Sequence, residues 1–144
     1  MTTEAFTRVS AFMRTPIWFV LLFALPITWQ RLKRLIWPRS FLKLNFLRRH
    51  FGINFHHGHL GLFIILAIAF WLTFFPRTWR LWILDSFVFG LGLLTDELVP
   101  YFSSTAGADR KTELEIYDRS CGKTICLAIV IGLFIGVCGY LARL

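Results

Sequence analysis

Apolar and polar positions fall in long blocks along this chain, with no strand-like alternation. Largely apolar runs fill residues 16–29, 60–75, 81–98 and 124–141, and most charged residues gather between them. A helix crosses the roughly 30 Å hydrocarbon core of a bilayer with about 17–25 apolar residues. The later runs meet or approach that length, whereas the first falls short and reads as a spanning or re-entrant segment. Pro16 suits a helix start, and Pro26 is expected to kink or end that helix. The pattern predicts an all-α integral membrane fold of three to four transmembrane helices plus a basic interfacial helix. Its parts are a first apolar segment (1–29), a basic interfacial segment (30–51), a transmembrane hairpin (52–98), a polar loop (101–122) and a last transmembrane helix (124–141), all in one membrane domain.

Local signals fix the breaks. Residues 76–80, Pro-Arg-Thr-Trp-Arg, read as a tight turn between antiparallel helices, with Trp79 and Trp82 at the depth of an interfacial aromatic belt. Pro100 is expected to end the third run. The polar stretch that follows carries a short surface helix around residues 112–119. In the last run, Ala128, Gly132 and Gly136 recur every fourth residue, a stripe that lets another helix backbone approach. That partner is expected within the chain, in a homo-oligomer or in a larger membrane complex.

Composition agrees with the pattern. A content of 56% hydrophobic residues in 144 is more than a soluble domain of this size can bury. The net charge of +8 is a matter of arrangement. Seven of the sixteen basic residues (Arg31, Lys33, Arg34, Arg39, Lys43, Arg48 and Arg49) lie in one acid-free stretch interleaved with Trp, Phe and Leu. Anionic lipid headgroups near residues 31–49 explain that stretch, and no nucleic acid is expected. The two segments flanking the hairpin, 30–51 and 101–123, hold eleven basic residues; Arg77, Arg80 and Arg143 make three on the other side. Positive-inside bias therefore puts the larger group in the cytoplasm. Cys121, Cys126 and Cys138 form no Cys-x-x-Cys pair and read as small apolar residues. Residues 1–10 lack a secretory signal pattern, so the first apolar segment is expected to be retained.

One constellation carries chemistry. All four histidines, His50, His56, His57 and His59, fall in ten residues, and three of them open the second run. The third run closes on Asp96-Glu97. Folding the hairpin about Arg77-Thr78 brings His59 and Asp96 to the same depth, about 27 Å from the turn. His56, His57, His59, Asp96 and Glu97 are thus the candidate metal ligands, a set suited to zinc, iron or manganese. Glu97 or Asp96 is the candidate general base for metal-activated water attacking a lipid headgroup. No haem is expected, because every histidine lies in one short segment. Asp85 is expected to pair with Arg77 or Arg80, and the 111–119 stretch is expected to be a solvated loop, with a lid over the cluster as the alternative.

His56-His57 followed by Gly61, then Gly90, Gly92 and Asp96-Glu97, resembles a group of small prokaryotic integral membrane proteins. In that group a His-His pair opens one helix and an Asp-Glu pair closes the next. The resemblance covers about the middle third of the chain and implies an inner (plasma) membrane location, but no particular activity. Two functions follow from the residues: a membrane metalloprotein hydrolysing a lipid headgroup, and a non-catalytic accessory or assembly subunit of a membrane complex.

Overall fold

The computed structural model describes residues 15–36, 56–75, 81–103 and 110–141, with side chains from 115 onward in the last of these segments. Five helices and no strands occur among them: α1 (Pro16–Ile36), α2 (His57–Phe74), α3 (Leu81–Ser103), α4 (Arg110–Arg119) and α5 (Cys121–Leu141). By length and composition, α2 and α5 are long and apolar enough to cross a membrane. They have 18 and 21 residues. With a helical rise of about 1.5 Å per residue, they reach about 27 Å and about 32 Å. The basic segment beyond Ile36, the turn at 76–80 and residues 104–109 lie outside the described residues.

Two expected boundaries move. Pro26 neither ends nor divides the first helix, which runs through it for 21 residues, so 30–36 continue α1. Pro26 is buried, and its ring packs where a Cβ on Gly92 of α3 would stand, so tertiary packing supports the helix through the missing N–H. Pro100 is likewise inside α3, which continues to Ser103. The polar-loop helix starts at Arg110, two residues before the expected position.

Helix α3 is the centre of the bundle. It packs against α2 on one side and α1 on another, and α5 lies against both α1 and α3. The buried cluster is small: Phe19, Phe23 and Ile27 of α1 with Val88 of α3, bordered by Ala128, Ile131 and Ile135 of α5. Most large apolar side chains point outward instead, among them Phe63, Leu66 and Phe70 of α2 and Leu133 and Phe134 of α5. Water would penalise such a surface, whereas hydrocarbon would not.

Close backbone approach depends on glycine. A Cβ on Gly61 of α2 would strike the Gly90 carbonyl oxygen and the Leu94 nitrogen of α3, and one on Gly92 would strike the Phe23 carbonyl oxygen of α1. Gly58 faces the Glu97 side chain in the same way. The contacts Gly58–Glu97, Gly61–Leu93 and Gly90–Ile64 are nearly symmetric about residues 77–78, as in a hairpin with a central turn.

Candidate functional site

The ends of α1 and α3 and the starts of α2 and α5 meet at one end of the bundle, with α4 across them. Asp96 sits in the middle, with 0% exposure. Arg31 of α1 donates from Nε to Asp96 Oδ1 at 2.8 Å. Asp96 Oδ2 accepts from His57 Nε2 of α2 at 2.8 Å and from the Tyr117 hydroxyl of α4 at 2.6 Å. Arg31 also donates to the Tyr117 carbonyl at 3.0 Å and to Thr124 Oγ1 of α5 at 3.2 Å. Its guanidinium carbon stands 3.8 Å from the centre of the Tyr117 ring. That is a cation–π contact. One carboxylate and one guanidinium therefore connect all five helices.

The second acid is less enclosed. Glu97 Oε1 lies 3.1 Å from His57 Nε2 and 3.8 Å from His56 Nδ1. His56 precedes α2, and its N–H donates to Nδ1 of His59 at 3.2 Å. The histidine that reaches Asp96 is therefore His57, where the sequence led us to expect His59. The reason is helical phase. Gly61 defines the face of α2 turned to α3, and His57, four residues earlier, shares that face. His59 is two residues from Gly61 and falls on the exposed side.

Asp85, expected beside Arg77 or Arg80, accepts from Trp18 Nε1 of α1 at 3.0 Å. Both arginines lie outside the described residues, as does His50. Arg31 and Thr124 enter the cluster without having been expected there, and Tyr117 reaches it from the 111–119 stretch, the candidate lid. Their signals were present: Arg31 continues the buried face of α1 at four residues from Ile27, and Tyr117 is the only aromatic residue in α4.

Burial, and then the Asp96 carboxylate, push the Tyr117 hydroxyl far above the usual tyrosine range, with Arg31 acting in the opposite direction. It therefore remains a donor wherever the bundle is folded. A raised folded-state pKa contributes stability that is complete below the ordinary value and is lost as pH rises beyond it. Wild-type protein is expected to lose thermal stability above about pH 10, and Tyr117→Phe to lose less over the same range. Equal alkaline slopes in melting curves would remove the hydroxyl from this account.

Among the described residues, no group of three or more His, Cys, Asp or Glu side chains is arranged to hold a metal ion. No buried side-chain nitrogen or oxygen among them lacks a hydrogen-bond partner. The cluster is thus a closed polar network in an apolar bundle, the condition under which buried polar groups are tolerated. No protein-family model, curated protein or solved structure matches the chain.

Proposed function

We propose that the chain is an integral membrane protein in which α1, α2, α3 and α5 all cross the bilayer, acting as a non-catalytic accessory or assembly subunit of a larger membrane complex. The engagement of Asp96 carries this reading: it is fully buried, and donors from α1, α2 and α4 hold its two oxygens. A carboxylate held in this way joins helices. Helix α1 has 21 residues and α3 has 23. At about 1.5 Å per residue they reach about 32 Å and about 35 Å, and among the described helices α2 and α5 are also apolar enough by composition. Asp85, Asp96 and Glu97, the acids of α3, have partners within the bundle. The charge asymmetry of the sequence favours a cytoplasmic position for the Arg31–Asp96 end. The outward apolar faces of α2 and α5 are available to lipid and to partner subunits.

The test compares two preparations by native electrophoresis in one mild detergent: the chain extracted from its own membranes, and the purified chain alone. An accessory subunit runs in a heavier species in the membrane extract. Identical mobility in the two preparations would overturn the reading.

One observation favours a second reading, metal-dependent hydrolysis of a lipid headgroup. His57 Nε2 stands 2.8 Å and 3.1 Å from oxygens of two carboxylates, so a nitrogen and two acids already converge. In that reading His56, His57 and Asp96, the last freed from Tyr117, would hold a zinc, iron or manganese ion that would supply an activated water, and Glu97 would serve as general base or as a further ligand. Metal analysis decides between them. Stoichiometric metal in wild type, lost in His57→Ala, would select the hydrolase; metal-free protein with full helicity would select the subunit.

A further inference from the structure

An apolar groove of about 620 Å³ runs between α1 and α5, its walls including Val20, Ala24 and Ile27 on one side and Ile129 and Val137 on the other. Two observations distinguish it from an ordinary helix seam. First, Gly132 and Gly136 line it, yet α1 does not require them. A Cβ at either would meet the nearest α1 atoms at 3.6–3.9 Å, ordinary van der Waals distance. These glycines deepen the groove, unlike Gly61 and Gly92, which permit backbone contact. Second, the α1 wall leads directly to positive charge. Thr28 lines the groove. Arg31 and Arg34 follow at three and six residues, about 4.5 Å and about 9 Å further along the axis.

Arg34 already shows which chemistry it accepts. Its guanidinium holds Asp118 of α4 through Nε at 2.6 Å and NH2 at 2.5 Å. This is the two-pronged grip that arginine also gives phosphate. The Asp118 side chain is 59% exposed and that of Arg34 is 18% exposed, so the acid side of the pair faces the surroundings. An apolar groove with an arginine fork about 9 Å beyond Thr28 along the axis of α1 matches an amphiphile with an anionic head.

We propose that the groove and Arg34 form a binding site for one anionic phospholipid, whose acyl chain lies against Gly132 and Gly136 and whose phosphate takes the place of Asp118 on Arg34. Asp118 is then a built-in competitor, and lipid binding loosens α4 at that contact. The inference rests on the membrane reading above.

The test uses full-length protein purified in non-ionic detergent and native mass spectrometry with phosphatidylglycerol or, as the lipid without a phosphate, diacylglycerol of identical acyl chains. Phosphatidylglycerol adducts are expected to be favoured about tenfold in wild type, the worth of one charged hydrogen bond. Asp118→Asn, which removes the competitor, raises that preference, and Arg34→Gln abolishes it. Gly136→Leu, which fills the groove, lowers binding of both lipids, whereas Gly136→Ala does not. Equal binding of the two lipids by wild type, or an unchanged preference in Asp118→Asn, overturns the proposal, and neither result depends on the folding of Arg34→Gln. Displacement of the lipid by inorganic phosphate alone, with Gly136→Leu behaving as wild type, also overturns it, since the groove would then have no part. Failure of the membrane reading is seen separately and earlier, as release of the chain from membranes by alkaline carbonate without detergent.

Discussion

Gly92→Ala is expected to lower the stability of the purified protein by about 3 kcal/mol or more, the upper range of overpacking costs, read as the unfolding midpoint in a denaturing-detergent titration. The added methyl would fall on the Phe23 carbonyl oxygen and within 2.7 Å of Pro26 Cγ. Neither can step aside cheaply. One is backbone inside a helix, and the other is a ring with no rotamer to change. The α1–α3 contact must therefore open along its length, which also disturbs the cluster around Phe23, Ile27 and Val88. Gly61→Ala should behave alike at the α2–α3 contact, where its methyl meets the Gly90 oxygen and the Leu94 nitrogen, at 2.8 Å for the latter. The Cβ of Gly122→Ala meets nothing within 4 Å. That variant should be neutral or stabilising by about 0.5–1 kcal/mol through helix propensity alone. Small gains of similar size at all three positions would mean that propensity, not packing, sets the result.

These glycines also mark how far the sequence could be read. Depth in the hairpin was legible, because a turn between Arg77 and Thr78 forces residues at equal separation to the same level, and Gly58 does stand opposite Glu97. Facing was harder, since depth does not rotate a helix. The four-residue step from Gly61 back to His57 holds that information, whereas depth alone points to His59. The passage of α1 through Pro26 was not legible, because it depends on the absence of a side chain at Gly92, sixty-six residues further along the chain. The role of Arg31 was legible only as a place on the helix face it shares with Ile27. Otherwise it is one of seven basic residues in an acid-free stretch, and the fold sets it apart by placing Asp96 2.8 Å away. Charge runs reveal topology, and a charge that enters the bundle looks the same as its neighbours.

The other large effect is expected at that pair. Asp96→Ala should destabilise by about 3–5 kcal/mol, because it leaves the Arg31 guanidinium buried without a counter-charge. The Arg31 side chain is only 15% exposed. The substitution also strands the Tyr117 hydroxyl, which donates to Oδ2, and leaves His57 Nε2 with the Glu97 oxygen at 3.1 Å. Losing single donors should cost less. Tyr117→Phe removes one hydrogen bond to a charged acceptor, worth about 1.5–3 kcal/mol, while Arg31 and His57 still hold Asp96. The informative variant is the double replacement Arg31→Met/Asp96→Leu. If the pair is a fastener, exchanging both charges for apolar side chains of similar volume should recover much of the loss seen in Asp96→Ala, since neither charge is then buried alone. Recovery would also show that the bundle needs no charge at this position to fold. Had Asp96 been kept for a bound ion instead, the double variant would fold equally well but lose stoichiometric metal that the wild type carries. Unfolding midpoints and metal content measured on the same three samples therefore decide what the buried carboxylate is for.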